Sequence, residues 1–266
     1  TNESGKFVHE KDVKKWLDTL SANEKYPFST PELRTELKHT FWLLNRVASA
    51  KALEKLLKKH PVFENYYIVL AAGDGKNSDD QVVNQKALDR VRDAIKEHEK
   101  TITLSVGQLT TGITVPEWTG VLMLSNLKSP SLYMQAAFRS QNPWTYSVDG
   151  KIRQKENSYV FDFAPERTLT LFDEFANNLS SDTSNGGGTT ESRKDKIQQL
   201  LNFFPVIAED NEGKMVALDA GQVLTIPKSI KAQEVVRKGF MSNLLFQNIS
   251  GIFASSGARE ILDQLN

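Results

Sequence analysis

No cysteine occurs in the 266 residues. That excludes a disulfide framework and thiolate metal sites, and it agrees with a reducing compartment. Histidine is scarce too: His9, His39, His60 and His98 are scattered and none stands at ligand spacing, so no metal centre is expected. No apolar run approaches the ~18 residues a membrane span needs, and residues 1–10 do not read as a signal peptide. The expected setting is the cytoplasm, with no membrane partner. Charge of one sign is not in excess either. Lys+Arg and Asp+Glu each number 33, so any contact with nucleic acid must be made locally, by a few loops, and not by a global basic field. The chain also lacks G-x-x-x-x-G-K-[ST] and any strand ending in a D-E-x-H-like box. It therefore carries neither the loop that cradles β- and γ-phosphates nor the carboxylates that hold Mg²⁺. There is no G-x-S-x-G elbow and no triad signature.

What is present reads as an α/β protein. Apolar content of 39% with 25% charged residues suits a globular chain with a sizeable core. Its length fits one large domain, or one domain with an appendage. Residues 41–44 (FWLL), 66–72 (YYIVLAA), 102–106, 121–124 and 158–163 (SYVFDF) read as strands, with helical spacing between them. Strands alternating with helices predict a parallel sheet with ligand-binding loops at the carboxyl ends of its strands. Ahead of them, Val13, Trp16, Leu17 and Leu20 form one apolar face, and Ser29-Thr30-Pro31-Glu32 starts a second helix. Residues 1–38 are thus either a helical connection or a brace. Residues 180–190, SSDTSNGGGTT, contain nothing apolar and predict a flexible linker. Beyond it, residues 191–266 predict a small helix-rich α+β module, with two short strands within 206–224 and a helix over 229–248. Asp210-x-Glu212-x-Lys214 has the letters of a metal-dependent nuclease centre, but EDNEGK is turn composition. Gly73-x-Gly75 lacks a third glycine and reads as a turn.

The informative stretch is 101–143, TITLSVGQLTTGITVPEWTGVLMLSNLKSPSLYMQAAFRSQNP. A strand runs into a small-residue loop with Gly107 and Gly112, a second apolar run follows, and Ser129-Pro130 opens an amphipathic helix carrying Gln135 and Arg139. A loop of small residues lets a phosphate backbone approach closely. An arginine keeps its charge and can clasp phosphate oxygens in two places. QLTTGITVP (108–116) resembles motif V of superfamily 2 helicases and translocases. QAAFR (135–139) is similar to the start of their motif VI, Q-x-x-G-R-x-x-R, and HTFWLLNRVASAKAL (39–53) resembles motif IV. The wording is closest to helicase-like proteins of restriction and phage-defence systems.

The resemblance implies a second, C-terminal RecA-like motor lobe over residues 39–179. In it Asn45, Arg46 and Ser49, at the amino end of a helix, and Thr110 and Thr111 in the loop would hold a DNA backbone. Gln135, Gly112 and Thr114 would face nucleotide, and Arg139 would be the catalytic arginine, standing at the open rim of the sheet. The bland alternatives are surface ion pairing for Arg46 and a structural carboxylate partner for Arg139. Phe138 replaces the usual glycine, Asn142 stands where the second arginine is expected, and Thr114 stands where many relatives carry an acid. Since the phosphate loop is missing, ATP and Mg²⁺ are expected only in a full-length protein, with no complete site in this chain. An N-terminal RecA-like lobe, DNA and nuclease or methyltransferase parts are the expected partners. A catalytically silent RecA-like module that binds protein partners is the alternative.

Overall fold

Five short apolar runs line up side by side as one parallel sheet. The computed structural model describes residues 1–23, 25–71, 80–107, 109, 113–148, 150–209 and 212–238. The first part holds α1 (Glu10–Ala22), α2 (Pro31–Glu36), β1 (His39–Leu43), α3 (Val47–Leu57), β2 (Tyr67–Ala71), α4 (Asp80–Glu97), β3 (Thr101–Ser105), β4 (Gly120–Met123) and α5 (Pro130–Ala137). There follow β5 (Thr145–Val148), β6 (Lys151–Gln154), β7 (Tyr159–Asp162), α6 (Pro165–Asn178), α7 (Thr190–Phe203), β8 (Ile207–Glu209), β9 (Met215–Ala217) and α8 (Ala220–Lys238). The main sheet has the order β2-β3-β1-β4-β7, with every neighbouring pair parallel. These are the five strands expected from the sequence, and helices flank them as expected. The chain divides into two compact units, Thr1–Phe163 and the part from Ala164 onward.

β1 is central and buried at all five positions, which is why its FWL, with Leu44 after it, reads as a continuous apolar run and does not alternate. One face carries Trp42, fully buried against Trp16, Phe28 and Phe63 at ring distances of 6.1, 5.9 and 5.8 Å. Its indole nitrogen donates to Thr40 Oγ1 at 2.9 Å, so the buried N–H is satisfied. Leu17 and Leu20 of α1 and Leu53 and Leu57 of α3 join the same core. Phe28 and Leu37 also belong to this core. The other face carries Phe41, whose ring lies 4.8 Å from that of Trp118.

Two features differ from the sequence reading. A β5–β6 hairpin stands between α5 and β7, with Val148 paired to Lys151; of the two residues between them, Asp149 lies outside the described residues. Gly150 takes a left-handed φ of +72°, the conformation a two-residue hairpin loop needs. In the second unit, α6, α7 and α8 pack on one another, and β8 and β9 pair across EDNEGK, of which Asp210 and Asn211 lie outside the described residues. The second strand ends at Ala217 and α8 begins at Ala220, well inside the range expected to be strand. The cause is a capping box: Asp219 Oδ1 accepts from Gln222 N at 2.8 Å and Gln222 Oε1 accepts from Asp219 N at 3.0 Å. Residues 180–190 hold a 3₁₀ turn, Ser184–Gly186, beside a buried Thr183 whose hydroxyl donates to Asn177 O at 2.8 Å.

His39 opens β1 at 4% exposure, its Nδ1 3.0 Å from Thr101 Oγ1 and its ring edge-on to Trp144. Burial pulls its pKa from 6.5 down to about 4, with Lys38 adding to the effect. Between those values the unfolded chain binds the proton that the folded chain refuses, so stability falls as pH drops from about 6.5 through 4, by about 3 kcal/mol. Urea unfolding across this range should show that loss in the wild type and a shallower one in His39→Asn. Equal slopes would contradict a buried neutral His39.

Candidate functional site

The segment between β3 and β4 has to travel the length of the sheet. It leaves the carboxyl end of β3 and reaches the amino end of β4, with β1 lying between those strands. A five-residue strand such as β1 spans about 17 Å, so the chain between β3 and β4 bridges two distant edges, and its described residues have no ladder of their own. Leu109, Val115 and Trp118 are buried along the path. Gly107 turns the chain at φ +76°. Leu109 sits at φ +61°, a region costly for a leucine and therefore one that its packing must hold. At the far end Thr119 N donates to His39 O at 2.9 Å and its hydroxyl donates to Glu36 O at 2.6 Å.

Two cations fasten this far end. The first is Arg139. Ser129 Oγ caps α5 by accepting from Leu132 N at 3.4 Å, and Pro130 fits the first turn. Tyr133, Met134, Ala136 and Ala137 are the buried face of α5, which leaves Gln135 exposed. The helix tightens into a 3₁₀ turn, Phe138–Ser140. From that turn the half-buried Arg139 reaches back: Nε donates to Gln135 O at 3.2 Å and Nη1 donates to Ile113 O. Burial lowers its pKa from the usual arginine value, yet a guanidinium remains charged. No carboxylate pairs with it among the described residues, so the structural ion pair is not what this arginine makes there.

The second cation, which the sequence reading missed, is Lys155. Its Nζ donates to three carbonyls, Pro116 O at 2.9 Å, Trp118 O at 3.0 Å and Ser140 O at 2.8 Å. Half-burial draws its pKa down to about 8, opposed by Glu117; the three carbonyl dipoles favour the ammonium form. Nothing in KIRQKEN marks this lysine, because its acceptors are main-chain atoms supplied by other segments.

The expected site residues fall on two edges. Asn45 and Arg46 are exposed just beyond the carboxyl end of β1, and Ser49 is half-buried in the first turn of α3. Arg46 is the residue preceding α3, with an extended backbone and no side-chain hydrogen bond capping the helix, so the first amides of α3 are open to an anion. Arg139 lies at the other edge: neighbouring Ser140 is buried with Oγ 3.4 Å from Tyr159 O, at the start of β7. Arg139 is thus away from the carboxyl rim, yet not sealed in the interior. Thr114 and Gln135 are exposed. Asn142 turns its amide to the backbone, Nδ2 donating to Arg139 O at 3.4 Å. Thr110, Thr111 and Gly112 lie outside the described residues. Among the described residues no group of three or more acidic or histidine side chains could hold a metal ion, and no helix is long and apolar enough to cross a membrane.

The fold and site define a parallel α/β lobe with an arginine bonded to main-chain carbonyls at one edge and an open helix start at the other. On sequence it is similar to the "Putative type II restriction enzyme and methyltransferase RM.MpnORF110P C-terminus" of Mycoplasma pneumoniae, 34% identical over 210 residues, 76% of this chain and 27% of the relative. The chain thus spans about a quarter of that relative's length. No protein-family model matches it. Similar solved structures include the C-terminal part of the Fun30 ATPase domain (TM-score 0.33, 14% identity, 77% of this chain and 56% of that one). Another is domain 2 of the DEAD-box helicase Mss116p bound to an RNA duplex (TM-score 0.38, 13% identity, 85% and 73%). A third is the ATP-dependent Type ISP restriction-modification enzyme LlaBIII bound to DNA (TM-score 0.36, 18% identity, 70% and 14%).

Arg139→Ala removes two charge-assisted bonds to carbonyls on a half-buried surface. It should lower unfolding stability by about 1–2 kcal/mol while far-UV circular dichroism keeps its wild-type shape. An unchanged urea midpoint would mean the bond to Ile113 O contributes nothing.

Proposed function

We propose that this chain is the C-terminal motor lobe of an ATP-dependent DNA helicase or translocase of a restriction-type system, with residues 39–179 as the lobe. The observation that carries the reading is the charge of Arg139: half-buried, bonded only to carbonyls among the described residues, and joined through Ile113 to the motif V-like segment. A guanidinium without a carboxylate partner fits the triphosphate of a nucleotide brought by a second lobe. ATP with Mg²⁺ would supply the phosphoryl-transfer chemistry once bound. For its part, this chain places a fixed positive charge, and Gln135 beside it, where the triphosphate would lie. Asn45, Arg46 and Ser49 hold the DNA backbone at the opposite edge, and Thr110 and Thr111 of the motif V-like segment join them in that role, with contacts to phosphate and none to bases. Thr114 and Gly112 lie on the segment between the two. The missing phosphate loop and acidic box leave the chain inactive as an ATPase alone.

In the full-length polypeptide, Arg139→Ala should cut ATP turnover about 10³-fold or more; wild-type turnover in that variant rejects the assignment. A single-strand gel shift with this chain should weaken in Arg46→Ala, and its salt dependence should lose a slope of about 0.7 for the one phosphate contact removed. The second reading, a silent module that binds protein partners, is favoured by Asn142, whose amide faces the backbone where a second arginine is expected. No retardation of either single- or double-stranded DNA at low salt would support it.

A further inference from the structure

We propose that Lys155 is the positioning residue for Arg139: its ammonium holds the two ends of the Arg139–Ile113 bond in register. Lys155 follows β6 and belongs to none of the helicase-like motifs. Its three acceptors come from two separate segments. Pro116 and Trp118 end the β3–β4 crossover, and Ser140 directly follows Arg139. The links close a ring. Lys155 binds Pro116 O, three residues before Pro116 is Ile113, Ile113 O accepts from Arg139 Nη1, and the next residue, Ser140, returns its carbonyl to Lys155. Ser140 cannot drift outward, since its side chain is buried against Tyr159 O. Three carbonyl oxygens brought to one point repel one another unless a cation with three donors stands between them, and an ammonium has three. Packing by an apolar side chain would leave these oxygens buried without donors. Lys155 therefore sets the separation of the crossover from the turn, and with it the direction of the guanidinium.

The catalytic consequence rests on the motor-lobe reading, but the positioning itself is testable on this chain. The absence of other cysteines makes Lys155→Cys a single-thiol protein, and aminoethylation of that thiol rebuilds the lysine with sulfur for one methylene. Exchange of the Arg139 Nη1 protons, which bond Ile113 O, followed by ¹⁵N NMR, should accelerate at least tenfold in Lys155→Cys while the amides of β1 and β3 keep their rates. Aminoethylation should return it to within twofold of wild type. Unchanged exchange in the folded variant, or no recovery on aminoethylation, overturns the proposal. If the cysteine variant does not fold, Lys155→Arg serves: a planar fork cannot meet three converging carbonyls, so exchange at Arg139 should rise at least threefold, and the wild-type rate overturns the proposal. In the full-length polypeptide, Lys155→Met should lower kcat at least tenfold with KM for ATP within twofold; a wild-type kcat overturns the catalytic consequence. An inert wild-type polypeptide overturns the motor reading itself, and the Arg139 exchange then decides the role of Lys155.

Discussion

One ammonium surrounded by three main-chain carbonyls is the constraint on which the β3–β4 crossover depends. The β3–β4 crossover must pass from one edge of the sheet to the other, and its described residues form neither helix nor strand. Its buried carbonyls would go unsatisfied if nothing donated to them. A strand would solve this with a ladder. Here Lys155 and Arg139 do so with side-chain donors, Lys155 on Pro116 and Trp118 and Arg139 on Ile113. Leu109, Val115 and Trp118 supply the apolar contact that presses the segment down. The hydrophobic contacts are non-directional and would tolerate sliding; the charged bonds are directional and stop it.

The sheet was legible in the sequence because its strands β1, β3 and β4 are buried at every position, and apolar runs such as FWLL admit few other readings. The helix starts at Thr30 and Ser129 were legible for a local reason, a hydroxyl followed by proline, and both hydroxyls accept from a first-turn amide. Asp149-Gly150 signalled the hairpin but sat in a polar stretch without the alternation that would have drawn notice. The capping box at Asp219 was hidden for the opposite reason, by a stretch apolar enough to pass for strand. Lys155 was not legible at all. Its partners are carbonyls, which every residue has, and only the fold decides which of them converge. The edge on which Arg139 lies also follows from topology: α5 runs back from the end of β4, so its last turn arrives at the start of β7.

The two expected contacts thus sit on opposite edges, and one segment joins them. It begins at Gly107, beside the carboxyl end of β3, and ends at Trp118, beside Arg139 and Lys155. In the reading proposed for this chain, that arrangement lets grip on a DNA backbone at one edge and nucleotide at the other bear on a single piece of chain fixed at its far end. A neutral balance of charge agrees with this, since such contacts are made by a few placed groups.

The most direct measurement is of the hydrogen bonds themselves. Scalar couplings across hydrogen bonds, recorded on ¹⁵N,¹³C-labelled protein at pH 6, would connect the Lys155 Nζ to the carbonyl carbons of Pro116, Trp118 and Ser140. All three couplings are expected, with slowly exchanging ammonium protons. A freely rotating Lys155 ammonium, in fast exchange with water and coupled to none of them, would contradict it.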